Sequence, residues 1–75
     1  METKFIELFK ETLEIEDREI NKSDKFREYP EWDSLAFLSV IAMIDEEYDI
    51  VIEGNDFKQL ITVGELIDEI GKRKA

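Results

Sequence analysis

The chain contains no cysteine, no histidine and a single proline among its 75 residues. Without cysteine it can form no disulfide, no thiolate metal site and no thiol nucleophile of its own. Without histidine it lacks the commonest general base, metal ligand and neutral-pH switch, which argues against a hydrolase or a zinc enzyme. No apolar run approaches the ~20 residues of a membrane span. The start, Met1-Glu2-Thr3-Lys4-Phe5, lacks the basic residues and continuous apolar block of a secretory signal. The expectation is a cytoplasmic chain with no membrane association. Basic residues are scarce too: ten against twenty acids, a net charge of -10. That balance opposes direct nucleic-acid binding and favours a partner with a basic surface. The scarcity is local. Between Glu28 and Phe57 there is no Lys or Arg at all, but there are nine acids.

At this length a single domain over residues 1–75 is expected, monomeric, with a core that supplies only a small margin of stability. Phe5, Ile6, Leu8, Phe9 and Leu13 recur at helical spacing, predicting a helix over 3–14 capped by Thr3. Residues 15–33 show no sustained period, and Pro30 biases Tyr29 away from helix. So long a connection must be pinned by its own side chains, with Ile15, Ile20, Phe26 and Trp32 as the pins.

Leu35 to Ile44 is apolar almost all round, predicting a second helix over 34–48 that lies centrally or leaves a face for a partner. Its end turns acidic at Asp45, Glu46, Glu47 and Asp49, against the helix dipole. Ile50-Val51-Ile52 reads as an extended connection and Gly54-Asn55 as a turn, followed by one helical turn over Asp56–Leu60 capped by Asp56. Thr62-Val63-Gly64-Glu65 is a capping box, with Ile61 and Leu66 as its staple, opening a last helix that Gly71-Lys72-Arg73-Lys74 ends. The fold class is therefore all-α: a small four-helix bundle of three main helices and one short one.

Ser34 stands out at the junction of the long connection and the second helix. Asp33 is placed to cap that helix, which puts the Ser34 hydroxyl on its first turn. There free backbone N–H groups and the dipole favour negative charge, so a phosphate on Ser34 would be well placed. Asp-Ser before an apolar run is also ordinary capping chemistry, and alone the pair discriminates weakly.

Three segments together resemble the acyl carrier proteins. Asp33-Ser34-Leu35 matches the carrier motif. Met43-Ile44-Asp45-Glu46-Glu47-Tyr48-Asp49-Ile50 resembles the family's acidic helix end, and Ile61 to Ile70 resembles its final helix with a Thr-Val start. The resemblance runs from about Trp32 to Ile70; the first helix matches only in length and pattern. It implies a four-helix bundle of acyl-carrier type and no enzyme activity. It implies 4'-phosphopantetheine, attached covalently to Ser34 by a phosphopantetheinyl transferase, with Asp33 and Leu35 flanking the site. The arm's thiol would hold acyl groups as thioesters, and such carriers can shelter an acyl chain between helices. Expected partners are that transferase, an acyl-loading ligase or acyltransferase, and downstream enzymes of lipid, fatty-acid, polyketide or other specialised biosynthesis. Their basic patches would dock on Asp45, Glu46, Glu47, Asp49, Phe37 and Ile41.

The resemblance has departures. Ala36 and Ser39 stand where fatty-acid members carry further acids, and Trp32 stands where they carry a small residue, which favours a specialised stand-alone carrier. Two other readings compete. One is an unmodified acidic helical module that binds proteins through its charged surface. The other is a divalent-cation binder at Asp45, Glu46, Glu47 and Asp49. The EF-hand pattern fails at Ile50, which occupies the loop glycine's place, so no metal site is expected.

Overall fold

The computed structural model describes residues 2–74. Four α-helices appear among them: α1 Glu2–Leu13, α2 Ser34–Tyr48, α3 Gly54–Phe57 and α4 Val63–Lys74. A 3₁₀ turn, Phe26–Glu28, interrupts the long connection. The all-α bundle expected from periodicity is thus present.

Helix α1 buries Phe5, Phe9 and Leu13, the stripe its spacing predicts, and packs against α2. It already includes Glu2, so Thr3 lies inside the helix and is not its cap. Its end is a Schellman motif: Ile15 N–H donates to the Lys10 carbonyl at 2.8 Å and Glu14 N–H to the Glu11 carbonyl at 3.1 Å. Glu14 adopts the left-handed conformation, φ 57°, that a glycine more often takes at this position. Asp49 does the same after α2, with φ 58° and its N–H bonded to the Asp45 carbonyl at 2.9 Å. Both are non-glycine chain reversals that the sequence pattern does not announce.

The connection from Glu14 to Asp33 is pinned, as its length demands. Ile15, Ile20 and Phe26 are buried, and Trp32 is half-buried against the core. Polar contacts complete the fixation. Arg18 grips Glu31 with two bonds, 2.6 and 3.0 Å, and lies over the Tyr29 ring at 4.9 Å. Tyr29 donates its hydroxyl to Asp24 at 2.7 Å. Burial first, then that carboxylate, raises the Tyr29 pKa far above its ordinary value.

The same connection caps α4 from outside. Val63 N–H donates to the Asp24 carbonyl at 3.0 Å and Gly64 N–H to the Lys22 carbonyl at 2.8 Å. The capping box supplies the rest. Thr62 Oγ1 accepts from Glu65 N–H at 3.2 Å, and Glu65 Oε1 accepts from the Ile61 and Thr62 N–H groups at 2.8 and 3.0 Å. Ile61 stays half exposed while Leu66 is fully buried, so the box outweighs the staple at this end. A Cβ on Gly64 would stand 3.1 Å from the Lys22 carbonyl oxygen, so only glycine allows this close approach without displacement.

The start of α3 differs from expectation. Helix α3 starts at Gly54, behind Glu53, whose side chain makes no capping bond; Asp56 is inside the helix and does not cap it. Helix α4 ends as expected, with Lys72, Arg73 and Lys74 in its last turn; Gly71 lies inside it, where a glycine weakens a helix by only about 1 kcal/mol. Ile50 and Ile52 are buried and Val51 exposed, the alternation of an extended segment. Arg73 ties α4 to this stretch: it donates to the Val51 carbonyl at 3.0 Å and pairs with Asp56 at 3.0 Å and Glu69 at 2.7 Å.

Candidate functional site

Helix α2 begins at Ser34 because Asp33 caps it. Asp33 has an extended backbone, and its Oδ1 accepts from the Ala36 N–H at 2.7 Å. Its carbonyl meanwhile accepts from Phe37 N–H at 3.0 Å, the first bond of the helix. Ser34 is therefore fixed on the first turn, exposed, with its hydroxyl at the end where the dipole favours an anion.

Behind Ser34 stands an aromatic cluster. Phe57, fully buried, is its hub. Trp32 stacks on it at 6.1 Å with planes 6° apart, and Phe37 and Phe26 meet it edge-on at 5.1 and 5.7 Å. Trp32 is thus a wall anchored to the core, the role its position predicts. The cluster holds the start of α2 in register with α3.

An open cavity of about 450 Å³ lies beside the serine, lined by Arg27, Trp32, Asp33, Ser34, Phe37 and Lys58. Arg27 and Lys58 flank the base-free stretch in sequence, and the fold brings both to Ser34. Arg27 is half-buried, and its guanidinium donates to the Phe57 carbonyl at 2.6 Å and lies 5.4 Å from the Phe26 ring. Neither cation was singled out by pattern, because 31 positions separate them and only the packing of α3 against the 3₁₀ turn joins them. The available signal was that they border the acidic gap.

The expected docking residues divide. Asp45, Glu46, Glu47 and Asp49 are exposed at the far end of α2, about 16 Å or more along the axis from Ser34 at 1.5 Å per residue. Glu47 is within 3.9 Å of Lys4. Among the described residues, no group of three or more such side chains is arranged to hold a metal ion. Phe37 and Ile41 are only half-buried and lie on the Ser34 side of the helix. Leu35 and Leu38 are 71% and 60% exposed, which makes them the apolar surface of α2 nearest the serine. Leu38 was missed as a surface residue; its spacing of four from Ser34 was the signal. Ala36 is buried and Ser39 half-buried. Neither is an exposed surface position in this chain, so packing accounts for the absence of an acid at Ala36.

Comparison with known proteins agrees with this geometry. The family described as phosphopantetheine attachment site matches residues 3–70. The chain belongs to that family and is a carrier, not an enzyme. The fold is that of an acyl carrier protein: the solution structure of the holo acyl carrier protein from Geobacter metallireducens superposes with a TM-score of 0.82 at 20% identity. The match covers 95% of this chain and 82% of that one. No helix among the described residues is long and apolar enough to cross a membrane.

Proposed function

We propose that Ser34 carries 4'-phosphopantetheine and that the protein holds acyl groups on that arm for partner enzymes in the cytoplasm. The observation that carries this reading is an exposed serine, fixed by the Asp33 cap on the first turn of α2, inside the region that matches the attachment-site family. The surroundings suit a phosphodiester: the dipole end of α2 and two cations favour its charge, and Trp32 and Phe37 offer an apolar wall. When attached, the arm supplies the thiol that forms thioesters; the chain's own residues attach, present and dock. In the loading step the transferase takes the Ser34 hydroxyl proton, the Ser34 oxygen forms a bond to the phosphorus that bears the pantetheine, the pyrophosphate bond of coenzyme A breaks, and adenosine 3',5'-bisphosphate leaves. Asp33 positions the hydroxyl by holding the helix start, and Leu35 and Leu38 offer apolar contact around it.

Partners are a phosphopantetheinyl transferase, a loading ligase or acyltransferase, and downstream enzymes with basic patches that meet Asp45, Glu46, Glu47 and Asp49. Trp32 next to the serine supports a specialised carrier over one for general fatty-acid synthesis. Incubation with coenzyme A and a broad-specificity transferase, read by intact mass, tests the reading. A gain of one phosphopantetheine that Ser34→Ala abolishes supports it. No gain under conditions that load another carrier refutes it.

A further inference from the structure

The chain has twice as many acids as bases, yet Arg27 pairs with no described carboxylate; Lys58 has none either, in common with Lys10, Lys25, Lys72 and Lys74. The other two arginines contrast with this. Arg18 holds Asp17 and Glu31, and Arg73 holds Glu69 and Asp56. Arg27 is also fixed in place: its 2.6 Å bond to the Phe57 carbonyl and its approach to the Phe26 ring set the guanidinium at the cavity wall. One bond leaves most of its five N–H donors for something else. Lys58 follows α3 directly, with its N–H bonded to the Gly54 carbonyl at 3.0 Å, and its side chain lines the same cavity. The single acid in that lining, Asp33, is engaged with the Ala36 N–H. The cavity therefore joins two cations free of carboxylate partners to an apolar wall of Trp32 and Phe37, and Ser34 opens into it.

We propose that this cavity is a cradle for the arm itself, an inference that rests on Ser34 carrying it. Arg27 and Lys58 bind the phosphodiester, and the adjoining dimethyl group of the arm lies against Trp32 and Phe37. Arginine suits such an oxyanion because its planar fork offers parallel donors, and lysine adds a mobile point charge. The cradle keeps the first part of the arm on the protein between partners and leaves the thiol end outside. It also explains why two bases survive beside a serine whose chain neighbours from Glu28 to Asp56 are acids or neutral residues.

The test uses the full chain in apo and loaded forms. Loading is verified by intact mass. The arm's methyl protons are then examined for nuclear Overhauser effects to the Trp32 ring, the only indole in the chain, at low and high salt. Contacts at low salt that are lost in Lys58→Gln and weakened by salt support the cradle; the exposed Lys58 can be changed without loss of fold. Arg27→Gln should give the same loss, and Arg27→Lys should restore part of it. Complete loading with no Trp32 contacts, or contacts unchanged in both Gln variants, overturns the cradle and leaves Ser34 as the attachment point. Contacts from Trp32 to the thiol end of the arm, in place of its methyl groups, overturn it too. Failure to load overturns the attachment and the cradle together.

Discussion

Phe57→Leu should weaken the fold and loosen the serine end of α2 together. Phe57 is fully buried and makes three aromatic contacts, with Phe26, Trp32 and Phe37. Each such pair contributes about 0.5–1.5 kcal/mol beyond its burial. Leucine keeps most of the volume and restores part of the contact, so a net loss of about 2 kcal/mol is expected. Truncation to alanine would cost about 3–5 kcal/mol, as much as a core of this size supplies in total. Phe57→Leu is therefore the informative variant and Phe57→Ala should be largely unfolded. A loss of about 2 kcal/mol corresponds to roughly 8–16 °C in Tm for a domain this small. Urea unfolding followed by circular dichroism and by Trp32 emission is the assay. The midpoint should fall with the slope unchanged, and native Trp32 emission should move because its stacking partner is gone. An unchanged midpoint would show that the cluster fills space without holding α2 to α3, and the account of the site's rigidity would be wrong.

Three further outcomes follow from particular contacts. Gly71→Ala, in the exposed last turns of α4, should stabilise by about 0.5–1 kcal/mol through helix propensity, whereas Gly64→Ala in the same helix should not, because its Cβ meets the Lys22 carbonyl; paired thermal melts decide this. Acid should weaken the fold through Glu31 and Glu65, whose carboxyls are held below the ordinary value of 4.5, Glu31 by its bonds from Arg18 and Glu65 by the Thr62 and Ile61 N–H groups. Both groups stabilise above their unfolded pKa, and the contribution is lost as pH falls below about 4.5 and through the depressed folded values; a melt series in Glu65→Gln should show a smaller acid loss than the parent. Replacing Asp45, Glu46 and Glu47 by Lys should slow association with the loading enzyme and reduce its salt dependence with little loss of fold, since all three are exposed and cations suit a helix C-terminus; equal association rates across ionic strength would contradict their docking role.

The sequence was most legible where signals are local. The limits of α2, the Asp33 cap and the capping box of α4 all appear where short-range chemistry places them, because each depends on groups within four residues. The hydrophobic pins of the long connection were legible as well, since burial of Ile15, Ile20 and Phe26 is the simplest way to fix a charged segment. What pattern reading lost were the contacts between distant segments. The carbonyls of Lys22 and Asp24 that finish α4 lie about 40 residues before it, and no local feature marks them. The left-handed Glu14 and Asp49 were hidden because neither is a glycine. Gly54 reads as a turn, although packing makes it the first residue of α3. At the site, Ser34 and Trp32 were visible by position, but the meeting of Arg27 with Lys58 arises only from the tertiary fold.

The most direct test is the chemical state of Ser34 in protein isolated from its native host. Fragmentation of the peptide that contains Asp33-Ser34-Leu35 should locate a phosphopantetheine on Ser34, with or without an acyl group on its thiol. An unmodified Ser34 throughout the native population, or an arm mapped to Ser39 or another hydroxyl, would contradict the account.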